Sequence, residues 1–90
     1  MVKKIIDTDN VIGRNIRKLR TERHITQTQL VRLLQLEGID IIREVLVKIE
    51  SGRQNVKLEQ LKAIKKIFGV TWEELLDEPE PEQEPKQDQE

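Results

Sequence analysis

Ninety residues fall below the size at which a second hydrophobic core is expected, so the chain reads as one small domain. It holds no Cys, which excludes disulfide frameworks, thiolate nucleophiles and Cys-based zinc sites, and Phe68 and Trp72 are its only aromatics, a poor stock for strand-rich architectures. The net charge of −1 conceals an asymmetry: residues 1–76 carry 15 Lys and Arg against 10 Asp and Glu, a balance of +5, while 77–90 carry Lys86 against seven acids, a balance of −6.

Such a split points to a nucleic-acid partner for the basic part, with the acidic end solubilising the chain or competing for the same surface. Residues 1–9 read as a flexible amino-terminal arm. They carry the positive charge of a signal peptide, but the apolar run Ile5-Ile6 is far short of the roughly 7 to 15 residues such a signal needs. No later stretch is long and apolar enough to span a bilayer, and the expected location is cytoplasmic. Residues 77–90 hold three Pro and no apolar residue and read as a disordered acidic tail. Folding is therefore expected of residues 10–76.

Five helical segments are predicted there. The first runs from about Asn10 to Arg23, with Ile12, Ile16 and Leu19 at the i, i+4, i+7 spacing of one buried face and Asp9 or Asn10 as N-cap. The second follows Thr26, whose hydroxyl and Gln29 have the spacing of a capping box, and buries Leu30, Leu33 and Leu34 on its way to about Leu36. A turn marked by Gly38 leads to the third, about Ile42 to Ser51, with Ile42, Val45, Leu46 and Ile49 inward and Gly52 as its left-handed end. The fourth, about Lys57 to Phe68, places Leu58, Leu61, Ile64 and Phe68 on one stripe. The fifth is short, opened by the capping box Thr71-Trp72-Glu73-Glu74, with Leu75 and Leu76 facing the core.

If Ile42, Val45, Leu46 and Ile49 face inward, Arg43, Glu44, Val47 and Lys48 project together into solvent. A short helix with such a face, preceded by another short helix and a turn, is the arrangement that fits the major groove of B-DNA. Arg and Lys bond guanine O6 and N7, Glu accepts from cytosine N4, and Val offers a methyl surface to thymine. The alternative for these four side chains is the solvated face of an ordinary amphipathic helix. His24, the single histidine, has no metal or catalytic partner in the sequence and reads as a helix-terminating residue, while Trp72 reads as core or edge packing.

Four stretches taken together carry a resemblance: Ile12-Gly13-Arg14-Asn15-Ile16-Arg17-Lys18-Leu19-Arg20, Ile25-Thr26-Gln27-Thr28-Gln29-Leu30, Lys48-Ile49-Glu50-Ser51-Gly52-Arg53, and Phe68-Gly69-Val70-Thr71-Trp72-Glu73-Glu74-Leu75-Leu76. In this order and at nearly these gaps, they resemble the helix-turn-helix domains of phage Cro and repressor proteins and their bacterial relatives, the XRE family. The resemblance implies an all-α, five-helix lambda repressor-like bundle and a repressor-like transcriptional regulator that binds double-stranded DNA. It implies backbone phosphate contacts from Gln27 at the start of the second helix, beside which Thr28 is a further candidate, and from Arg53, Gln54 and Asn55 after the third. Arg14 and Lys18 are further candidates for phosphates. It also implies an internal salt bridge between Arg20 and Glu50.

The chain departs from that pattern at several places. Its second turn is longer than the family minimum, Ile42 stands where the longer-turn subtype usually has a capping Ser, and Glu44 and Val47 stand where small polar residues are common. Lys57 replaces the usual cap of the fourth helix, and Val31 a common Ala. These departures motivate the alternative function, a protein-interaction module on the same fold, antirepressor or antitoxin-like. An enzyme is not expected, since no glycine-rich phosphate loop, metal-ligand cluster or nucleophile–base pair is present in the sequence, and neither a metal nor a small-molecule cofactor is expected. A homodimer on DNA, built through the fourth or fifth helix, would demand half-sites about 34 Å apart.

Overall fold

The predicted amphipathic segments all form helices in the computed structural model, which describes residues 9–78. In chain order these are α1 (Val11–Glu22), α2 (Gln27–Leu36), α3 (Arg43–Ser51), α4 (Leu58–Phe68) and α5 (Trp72–Leu76), and no strand occurs among the described residues. Residues 1–8 of the expected arm (1–9) and 79–90 of the expected acidic tail (77–90) lie outside the described residues.

The polar residues between helices decide where each one starts and stops. Thr26 Oγ1 accepts the Gln29 N–H at 3.0 Å while Gln29 Oε1 accepts the Thr26 N–H at 2.8 Å, and Thr71 and Glu74 repeat the exchange at 3.1 and 2.8 Å. Each reciprocal pair satisfies two of the amides that a helix start leaves without partners. At the end of α1, His24 takes the left-handed conformation (φ 57°). The His24 and Ile25 amides then donate back to Thr21 O and Arg20 O, which closes the helix as the histidine's position suggested. Arg23 continues the job from the side, donating to Leu19 O and Phe68 O and lying 5.2 Å from the Phe68 ring. It binds the carboxyl ends of α1 and α4 together, where a cation is favourable.

The apolar stripes meet in one core. Ile16, Leu30, Leu34, Leu46, Ile49, Ile64 and Leu75 are its fully buried side chains, and each contributes about 1.5–3 kcal/mol relative to exposure. α1 packs on α3 and α5, and α2 on α3 and α4, so α3 is held between the first two helices with one side left open.

Several side chains expected inside are not. In the extended backbone before α3, Ile41 is buried and Ile42 is exposed. Successive side chains of extended chain point oppositely, and only one of the two isoleucines can enter the core. Leu58 and Leu76, at the first and last positions of α4 and α5, are exposed, because a stripe that fits mid-helix overruns the core at a helix end. Leu33 and Val45 are half-buried. Asn10 stands at the N-cap position of α1, but its backbone is left-handed and its side chain makes no cap bond. Lys57, with no acceptor in its side chain, caps nothing; Gln60 Oε1 instead accepts the Lys57 N–H at 2.8 Å, half of a capping box.

Candidate nucleic-acid interface

Everything that could face a groove depends on how α3 is oriented, and its carboxyl-terminal half is fixed by α1. Gly13 of α1 lies against the Ile49 carbonyl so closely that a Cβ at position 13 would overlap the oxygen. Asn10 Nδ2 donates to the Glu50 carbonyl at 2.9 Å. Gly52, left-handed at φ 84°, ends the helix, and the Arg53 amide returns to Lys48 O at 2.8 Å.

The Glu50 side chain completes the junction. Arg20 Nε and Nη2 donate to its two oxygens at 2.8 and 2.9 Å, a bidentate pair whose side chains are 10% and 3% exposed. Arg20 Nη1 also donates to Ile25 O at 2.8 Å. The salt bridge implied by the resemblance is thus present and buried. Gln27 Nε2, at the start of α2, adds a third donor to Glu50 at 3.0 Å. One carboxylate therefore joins α1, α2 and α3 in a network whose members are all partnered, the condition under which a buried charge is tolerated.

With α3 so oriented, Arg43, Glu44 and Lys48 are exposed on its outer side and Val47 is half-buried. Arg43 shares a shallow depression with Thr26, Gln27 and Thr28, so the amino end of α2 and the start of α3 form one surface. Thr26 Oγ1 takes the Gln29 amide, and the Gln27 and Thr28 amides before it have no acceptor within the helix, the arrangement that attracts a phosphate. Gln27 has spent one side-chain N–H on Glu50 and keeps the other. Glu44 sits in the first turn of α3, where a negative charge suits the helix dipole and partly offsets the missing cap.

At the other end of α3, Arg53 is exposed and its Nε donates to Ser51 Oγ at 3.2 Å. Gln54 and Asn55 line a recess with Asn10, Gly13 and Gly52. Arg14 and Lys18 lie elsewhere. Arg14 donates twice to Asp9 O and faces Glu78 at 3.9 Å. Lys18 pairs with Glu22 at 3.8 Å and shares a recess with Glu73, Glu74 and Asp77. That face, between α1 and α5, is acidic. Among the described residues no group of three or more His, Cys, Asp and Glu is placed to hold a metal ion, and no helix there is long and apolar enough to cross a membrane.

Sequence reasoning missed the roles of three groups that hold the bundle around this site. Gly13 is signalled by a glycine inside an otherwise helical pattern, which marks close approach of another backbone. Asn15 falls on the buried stripe of α1, and its Nδ2 donates at 2.8 Å to both Leu75 O and Asp77 O, tying α5 to α1. Gln35 Nε2 donates to Ile41 O at 3.0 Å and steadies the long turn before α3, a role with no pattern in the sequence.

Comparison with known proteins agrees with this architecture. A family model described as helix-turn-helix matches residues 16–75. The HTH-type transcriptional activator BcrR of Enterococcus faecalis is 39% identical over 61 residues, 68% of this chain and 28% of that protein. The chain thus spans about a quarter of that relative's length. The crystal structure of the hypothetical transcription factor NHTF from Neisseria superposes with a TM-score of 0.66 at 24% identity, covering 88% of this chain and 90% of the other.

Proposed function

The chain belongs to the helix-turn-helix family, and from that premise we propose that it binds double-stranded DNA sequence-specifically and regulates transcription, with α3 in the major groove. The observation that carries this proposal is the outer side of α3: Arg43, Glu44 and Lys48 stand exposed on a helix whose opposite side is locked to α1 and α2 through Glu50. Arg43, Glu44, Val47 and Lys48 read base edges. Phosphates are held by the first turn of α2 through Gln27 and Thr28, and by Arg53, Gln54 and Asn55 beyond α3. Arg14 and Lys18, which face exposed carboxylates, are secondary phosphate contacts.

The domain occupies a promoter and acts in the manner of a repressor where its site overlaps that of the polymerase. On DNA it forms a homodimer through α4 or α5, which carry the exposed Leu58, Trp72 and Leu76.

Selection of bound duplexes from a random pool, followed by titration at increasing salt, tests the proposal. The expected result is an enriched site, palindromic if the dimer forms, and an affinity falling with a log–log slope of about −0.9 per phosphate contact. No enrichment at any salt would overturn it.

A further inference from the structure

We propose that Ile42, at the amino end of α3, reads a thymine by packing on its 5-methyl group; this role rests on the DNA-binding reading above and adds a specificity residue to it. Ile42 is 55% exposed, while the neighbouring Ile41 is 2% exposed. The core takes Ile41, and Ile42 stands exposed next to Arg43, the first helical residue of α3. In a helix-turn-helix it is the amino-terminal residues of the second helix that reach base edges.

The backbone at Ile42 (φ −115°, ψ 166°) resembles that of Thr26 (φ −78°, ψ 165°) and Thr71 (φ −89°, ψ 166°), both of which cap their helices. A hydroxyl would therefore serve α3 well. An isoleucine here makes no cap bond and leaves more than half of its surface uncovered by its own chain. A position that gives up a cap for a side chain left mostly in solvent is where a binding role is expected. In the major groove the thymine methyl is the apolar feature of the base edges, and it matches a branched apolar side chain as it would not match the phosphates beside it. Val47 lies more than one turn further along α3 and so faces a different base pair.

The experiment takes the duplex enriched by selection and replaces each thymine in turn by deoxyuridine, which lacks only the methyl. Affinities are measured for the wild type, Ile42→Ser and Ile42→Val. At one thymine the wild type loses about fourfold, the value of one buried methyl. Ile42→Val loses a similar factor, and Ile42→Ser is indifferent there while still responding to any methyl read by Val47. Thermal unfolding of Ile42→Ser is expected at or above the wild-type midpoint, because the serine supplies a cap. An enriched site bound with the same deoxyuridine profile by all three proteins, or one that contains no thymine, overturns the role of Ile42 and leaves the DNA-binding reading standing. Failure to enrich any site overturns both.

Discussion

The two ends of α3 are built in opposite ways. At the carboxyl end Gly13 lies under the Ile49 carbonyl, Asn10 donates to Glu50 O, and the Glu50 carboxylate accepts from Arg20 and Gln27. At the amino end there is no side-chain cap, and the turn is held by the buried Ile41 and by the bond from Gln35 to Ile41 O. The difference teaches that a reading helix can be anchored through its inner side at one end while its outer side stays free along its length. The groups that anchor it, Asn10, Arg20 and Glu50, are consumed internally, and Arg43, Glu44 and Lys48 on the outer side remain for a partner.

Substitutions test this division, and the largest effect is expected at the anchor. Glu50→Ala leaves the Arg20 guanidinium buried without its partner and should lower unfolding free energy by about 3–5 kcal/mol in denaturant titration. Replacing Arg20 and Glu50 together by apolar residues of similar volume should cost far less, and an equal cost would show that the pair does not act as a unit. Gly13→Ala comes next. Alanine favours a helix by about 1 kcal/mol over glycine, yet here its Cβ meets the Ile49 carbonyl, so a net loss of about 1–3 kcal/mol is expected. Stabilisation instead would mean that α1 and α3 are less closely apposed.

Smaller effects belong to the free side of α3 and to α2. Thr26→Ala should cost about 1 kcal/mol through loss of its cap on Gln29, read as a lowered midpoint of thermal unfolding. Ile42→Ser, by gaining a cap in the same backbone conformation, should stabilise by about 0.5–1 kcal/mol, and destabilisation would place Ile42 in the core after all. Lys66→Ala removes an exposed pair with Glu37 (3.0 Å) that ties the turn region to α4, and a change within about 0.5 kcal/mol is expected.

The stripes and caps made the five helices legible in the sequence almost to the residue. Thr26 and Thr71 are capping residues in both sequence and structure, because capping is a local exchange between residues three apart. What the sequence left hidden depends on tertiary fit. Two adjacent isoleucines before α3 are equivalent in pattern, and the extended backbone at Ile42 decides that Ile41 enters the core. Leu58 and Leu76 satisfy a helical period but fall where the bundle ends. Of the expected site residues, the Arg20–Glu50 pair was legible through the family resemblance. The carboxylates around Arg14 and Lys18 were not, since they come from other parts of the chain that meet only in the fold.

The central claim is that the outer side of α3 and the amino end of α2 form the contact surface, with the acidic groups of the α1–α5 face uninvolved. Titration of the isotopically labelled chain with its selected duplex, followed by amide chemical shifts, tests it directly. The account predicts large shifts at Gln27, Thr28, Arg43, Glu44, Val47, Lys48 and Arg53, with smaller ones at Arg14 and Lys18 and little change at Glu73 and Glu74. Shifts concentrated on the α1–α5 face, with α3 unmoved, would contradict it.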